Sequence, residues 1–380
     1  MPLLAAACAA ALVAAGCRQA GAPVVSAAPI PAPPPQISEV DLKAYRPNEA
    51  GAIMVIMYHR FEADKPNTDV NRTPEQFRRD LEGLYKRGYR PVTVSDLVQN
   101  RMEVPPGKTP VVLTFDDSWA TQFRIVTGRD GNPHIDPDCA IGILETFSRA
   151  HDDWPTRGTF FILPHEGRNS DPFGQPGFVA DKFAYLLKHG YEVGNHTSTH
   201  PRSMRSLSAD QVRWEIATAV RDIKQVAPGA IVQSLAVPYG KTPRDRAARA
   251  ALLSGEDRGT SYENKAVVMA AWRPVGSPIL KVGRRVSDQV AAYDPHHIER
   301  VLPDPRQATK AGTLEYWMRF FDSNPGERYV SDGNPKVAAF PNGVSRMVDI
   351  ERLRAAGITP QPYSAGAAAA GGGRRGLSVE

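Results

Sequence analysis

The run Pro110-Val111-Val112-Leu113-Thr114-Phe115 ends abruptly at Asp116-Asp117. Its apolar, β-branched residues show no polar alternation, which predicts a strand buried on both faces, as in a parallel sheet covered by helices. In barrel-like α/β folds the C-terminal ends of such strands carry the active site. Both carboxylates are thus expected at a functional edge. Alternation along a strand predicts that they point in different directions, so that one can bind metal while its neighbour faces a water.

Outward from this strand, Gly190-Tyr191-Glu192-Val193-Gly194-Asn195 reads as a short strand and turn feeding His196-Thr197-Ser198-Thr199-His200. Imidazoles at i and i+4 can share one face of a helical turn, with a tight loop as the alternative because Pro201 follows. Two imidazoles and one carboxylate suit Zn²⁺ or another first-row divalent metal and leave positions open for water and substrate. Taken singly, Asp-Asp is also a turn or cap signal, and His-x-x-x-His also occurs on solvated helices. Together, in this order and at strand ends, they make a metal ligand set with one carboxylate to spare, which points to metal-assisted hydrolysis.

These motifs resemble the polysaccharide deacetylase family, also called the NodB-homology or carbohydrate esterase family 4 group. Thr114-Phe115-Asp116-Asp117 is similar to its first motif and His196-Thr197-Ser198-Thr199-His200 to its second. Ile53-Met54-Val55-Ile56-Met57-Tyr58-His59 looks like the family's opening strand, Arg157-Gly158-Thr159-Phe160-Phe161-Ile162 like its third, and Val237-Pro238-Tyr239-Gly240 like its third motif. The resemblance runs from about residue 50 to about 300. It implies a distorted (β/α) barrel in which Asp117, His196 and His200 hold the metal and Asp116 is the general base. It also implies an oxyanion held by the metal and a backbone N–H at Tyr239, with free acetate and an amine as products.

Two departures from the family pattern shape the expectations. The Arg that precedes the third motif and pairs with the catalytic Asp is replaced by Ala236, so Asp116 needs another partner, for which Arg300 is the candidate. The late Leu-x-His motif that supplies the general acid has no clean match; His296 and His297 stand in for it, with a structural or surface role as the alternative. His59 either points into the site or is a satisfied core histidine, the reading favoured here. Trp119 and Tyr239 lie just beyond motif strands, where aromatic faces stack on sugars or simply pack.

With 380 residues and 42% hydrophobic content, the chain can bury one large core, and the expected organisation is a single domain over residues 46–303. An extension over 304–363 is expected to pack on the barrel or line a substrate groove, followed by an Ala/Gly-rich disordered tail over 364–380. The apolar, Ala-rich residues 1–17 read as a signal peptide with a lipobox at Cys17, followed by a Pro/Ala-rich tether over 18–45. A secreted protein is the alternative if the lipobox is unused. With Cys17 acylated and Cys8 removed, only Cys139 remains, which excludes an intramolecular disulfide. The net charge of +5 is spread along the chain and gives no sign of nucleic-acid binding.

The expected partners are therefore an N-acetylated envelope polysaccharide (poly-N-acetylglucosamine, peptidoglycan or a chitin-like polymer) and the membrane, through a lipid anchor. A catalytically impaired glycan-binding lipoprotein and a hydrolase of non-sugar amides are the competing readings.

Overall fold

The computed structural model describes residues 34–164 and 171–365. Cys17 and the signal segment, the tether up to residue 33 and the tail from residue 366 fall outside the described residues. From Pro35 onward the chain forms one compact unit. Within the expected tether, Glu39–Tyr45 is a helix capped by Ser38, and the Ile37 N–H donates to the side chain of Gln361.

Six strands build the central sheet: Ala52–Tyr58 (β1), Thr109–Phe115 (β2), Thr159–Ile162 (β3), Glu192–Asn195 (β4), Ser234–Ala236 (β5) and Ala266–Val268 (β6). Each pairs in parallel with the next. As the apolar runs predict, β1 and β2 are buried along their whole length. Two further strands flank them: Tyr89–Val92 runs parallel to the start of β2, and Val275–Gly276 antiparallel to the start of β1.

The ring closes through four residues. Ile298–Val301 lies between the two outer strands, bridging Val268 on β6 and Ile56 on β1, both in parallel. Ile298 N–H donates to Val267 O at 2.9 Å, and Met57 N–H donates to Val301 O at 3.0 Å. The result is the expected distorted barrel, with Ile298–Val301 in place of a regular last strand.

Alternating side chains divide the core in two. Met54, Ile56, Val111, Leu113 and Phe115 pack outward against helices that include Pro74–Lys86, Ala140–Ala150 and Ala209–Val226. Ile53, Val55, Val112, Phe161, Val268 and Ile298 fill the interior. Helix starts follow sequence signals: the Thr73 hydroxyl accepts from Gln76 N–H with Pro74 in the first turn, and Ser208 and Gln211 form a capping box.

The C-terminal extension joins the interior cluster through Tyr329, Ala338 and Phe340. Tyr329 N–H donates to Ala52 O at 3.0 Å and Thr109 Oγ1 to Tyr329 O at 2.7 Å, contacts at the N-terminal ends of β1 and β2. The approach is close enough that a Cβ on Gly51 would lie 2.3 Å from the Arg328 carbonyl carbon. This part of the extension therefore plugs the barrel end opposite Asp116 and Asp117, rather than lining a groove beside them. Among the described residues no helix is long and apolar enough to cross a membrane, and Cys139 is buried with a free thiol.

Candidate active site

β2 delivers Asp116 and Asp117 to the C-terminal barrel end, but the strand has already broken at Asp117, whose φ is +75°. Strand alternation therefore does not carry through, and both carboxylates face one site. Asp116 Oδ2 lies 3.8 Å and Asp117 Oδ1 3.2 Å from His196 Nε2. Positive φ recurs at Ser118, Thr197, His200 and Tyr239, at 54°, 68°, 50° and 55°. Left-handed backbone in non-glycine residues costs energy and collects where the surroundings over-determine it, which here is around the carboxylates.

Residues His196–His200 form a tight loop, not a helical turn. Glu215, buried on the helix Ala209–Val226, accepts the Ser198 and Thr199 N–H groups on Oε2 at 3.0 and 2.9 Å, and the Thr199 hydroxyl on Oε1. Asn195 adds a second brace, taking the Thr197 N–H at 2.7 Å while donating to Ile216 O. One carboxylate thus replaces the hydrogen bonds that a helix would have supplied to this backbone.

The two imidazoles converge on Asp117. His200 Nε2 is 3.5 Å from Asp117 Oδ1, and one ligand atom from each of Asp117, His196 and His200 lies within 4.8 Å of the others. His196 Nδ1 meets Ala236 O at 2.9 Å, which requires a proton on Nδ1 and turns Nε2 toward Asp117. Trp119 Nε1 donates to Asp117 Oδ2 at 3.0 Å, whereas Oδ1 is buried without an aligned hydrogen bond. A buried carboxylate oxygen without an aligned hydrogen bond, flanked by two imidazole nitrogens, is a donor set that fits a divalent metal.

Asp116 is held by Arg300, both of whose terminal nitrogens donate at 2.7 Å, one to each carboxylate oxygen. The closing segment Ile298–Val301 places the guanidinium there, and Met269 O and Thr114 Oγ1 take its other donors. Burial pushes the Asp116 carboxyl up, but the charge and hydrogen bonds of Arg300, with the charges of His196 and His59, together hold the group below the usual carboxylate range. Burial likewise pushes Asp117 up, yet the neighbouring imidazoles, His196 foremost with His59 and His200, leave it well below. Burial and His196 together push His200 down to about 4.

His59 corrects the core reading. Its Nδ1 is buried without a partner, and its ring feels the charges of Asp116, Asp117, Arg300 and His196, although burial is the larger influence and lowers its pKa. Tyr-His at the end of a first barrel strand was the available signal, and it was ambiguous. His296 and His297 are corrected the other way. They precede Ile298, which bridges Val268, the last residue of β6, in parallel, so they lie exposed beside the earlier part of that strand, toward the opposite barrel end. Residues 299–301 must still climb to reach Asp116, and the two imidazoles are left behind.

Tyr239 stands half exposed beside His200, with ring centroids 4.9 Å apart. It is second in a 3₁₀ turn over Pro238–Gly240, in which the Gly240 N–H donates to Val237 O at 2.9 Å while the first N–H of the turn, that of Tyr239, precedes the turn's own acceptors. Trp119 has one face under the Arg60 guanidinium at 3.8 Å, so that face is unavailable to a sugar.

The sequence profile of the family described as polysaccharide deacetylase matches residues 103–254. The chain is 30% identical over 189 residues to a chitooligosaccharide deacetylase of Bradyrhizobium sp. (strain ANU 289), which covers 50% of this chain and 68% of the relative. Among solved structures, the Streptococcus pyogenes deacetylase PplD in complex with acetate aligns with a TM-score of 0.46 and 17% identity, over 69% of this chain and 98% of that one. BC0361, a polysaccharide deacetylase from Bacillus cereus, aligns at 0.47 and 13%, over 70% and 68%. The chain belongs to the polysaccharide deacetylase family.

Proposed function

We propose that this polysaccharide deacetylase removes N-acetyl groups by metal-assisted hydrolysis, with Asp117, His196 and His200 holding Zn²⁺ or another first-row divalent cation. The observation that carries the metal is Asp117 Oδ1, buried, unsatisfied and flanked by two imidazole nitrogens. A cation bound there would supply Lewis-acid activation of the water and of the acetamide carbonyl.

The protein's own groups do the rest. Asp116, kept ionised by Arg300, accepts the proton of the attacking water as its oxygen bonds to the carbonyl carbon. The Tyr239 N–H donates to the developing oxyanion. His59 faces the same carboxylates and gives a proton to the sugar nitrogen as the C–N bond breaks. Its lowered pKa reduces the protonated fraction but makes that form a stronger donor. Acetate and a glucosamine-type amine leave.

The glycan-binding alternative drew on Ala236 and on the missing acid; Arg300 and His59 answer both points and favour the enzyme. The test is acetate release from N-acetylated glycans before and after chelation, with Zn²⁺ then restored. Activity that survives complete chelation overturns the metal-assisted reading, and no release by folded, metal-loaded protein overturns the deacetylase. We further propose export with lipid attachment at Cys17, supported by the apolar opening of the sequence. Labelling with a fatty-acid analogue that persists in Cys17→Ser sinks that attachment.

A further inference from the structure

The loops leaving the two outermost site residues form one basic rim. One follows His200 and the other follows Tyr239, and Arg244 N–H donates to Arg205 O at 3.1 Å, tying them together. Arg202, Arg205, Lys241, Arg244 and Arg246 are all exposed there, and none has an ion-pair partner among the described residues. The nearby acids are occupied: Asp245 caps a short helix through the Ala248 N–H, and Asp210 pairs with Arg213. Arg273, beyond β6, is by contrast neutralised by Glu299 at 2.6 Å. The rim reaches the chemistry directly. Lys241 Nζ is 5.3 Å from the Tyr239 ring centroid, and that ring is the one against His200.

We propose that the glycan this enzyme takes is anionic, with carboxylates on the polymer docking along Arg202, Arg205, Lys241, Arg244 and Arg246 while an acetamide enters beside Asp116. This rests on the deacetylase reading and specifies its substrate class. Each conversion replaces a neutral acetamide by an ammonium group, so a neutral homopolymer becomes progressively cationic and is repelled by this rim. A polymer carrying a carboxylate for each amine stays near neutral and keeps its attraction. Exposed charges are screened by salt, so the preference is a low-salt effect carried by several cations together.

The experiment compares an N-acetylglucosamine oligomer with one of equal length in which alternate sugars bear lactyl-ether carboxylates. Wild-type protein and Lys241→Glu/Arg244→Glu are used, matched by thermal melt, at low salt and in about 0.5 M NaCl, where the screening length is only a few ångströms. The expected result is about tenfold higher kcat/KM for the carboxylate oligomer at low salt, carried by KM, and lost both in high salt and in the double variant. Equal use of the two oligomers, or a preference untouched by salt, overturns the proposal. If neither oligomer is deacetylated, the deacetylase reading fails instead. Equilibrium binding of the same oligomers by fluorescence anisotropy then decides the rim: tighter, salt-sensitive binding of the carboxylate oligomer upholds it, and equal binding overturns it.

Discussion

Arg300 and Asp116 are 184 residues apart in the chain and meet as a buried bidentate pair. The pair explains how a site with Ala236 in place of the usual Arg keeps its carboxylate ionised: the guanidinium arrives on the segment that closes the barrel. Removing it leaves a buried, uncompensated carboxylate, a cost of about 3–5 kcal/mol. Arg300→Met is therefore expected to lower the melting temperature and, in the protein that folds, to move the acid limb of the kcat/KM profile to higher pH. The sign follows because Arg300 lowers the Asp116 pKa, so its loss raises it and base function appears only at higher pH. Asp116→Asn should abolish turnover while metal content stays intact. An unshifted acid limb in Arg300→Met would show that Asp116 is not the titrating base.

His59→Gln tests the acid. Loss of one proton-transfer group typically costs 10²–10⁴-fold in rate, and that loss should fall on kcat, with KM and bound metal little changed. His296→Gln and His297→Gln should behave as wild type, since both imidazoles are exposed toward the far barrel end. A large kcat loss in either of those, with His59→Gln active, would reverse the assignment.

The sequence made the barrel legible because β1 and β2 are continuous apolar runs that end in chemistry, and because the helices announce themselves through caps such as Thr73-Pro74. It made the ligand set legible because Asp116-Asp117 and His196-His200 are local patterns. What it hid was non-local or irregular. Asp117 was expected to turn away from its neighbour, and the positive φ that prevents this is not written in residue type, since Asp is not Gly. His59 was hidden because Tyr-His at a strand end serves core and site equally well. Glu215 left no signal at all, being one more acid on an amphipathic helix until the fold brings it under the ligand loop.

Glu215 touches no reacting group, so it acts on metal binding through loop geometry. Partners that orient metal ligands usually contribute 10–100-fold in affinity. Glu215→Ala should weaken Zn²⁺ binding by roughly 10-fold or more in a competition assay with a chromophoric chelator. Glu215→Gln, which keeps an acceptor oxygen, should recover part of this loss. If Ala and Gln lower the apoprotein melting temperature equally while leaving Zn²⁺ affinity unchanged, Glu215 is a fold residue only.

Far from the site, the seam between the start of β1 and the extension holds two buried acids together. Asp332 N–H donates to Glu49 Oε1 at 3.3 Å, while Asp332 takes the Ala339 and Asn334 N–H groups at 2.9 and 2.8 Å. Burial raises Asp332 to about 6, and burial plus the charge of Asp332 raises Glu49 well above its ordinary value. A carboxyl whose folded pKa is raised favours the folded state in its protonated form. Its contribution is therefore full below the ordinary carboxylate range, falls as pH rises above that range, and is wholly lost once pH passes the raised value, about 6 for Asp332. The melting temperature should fall between pH 5 and pH 8 for this reason. Glu49→Gln removes one of the two charges and should raise the melting temperature at pH 8 with little change at pH 5. Calorimetric melts at the two pH values decide it: a variant that is no more stable than wild type at pH 8 would mean that the seam admits water enough to ionise both acids without strain.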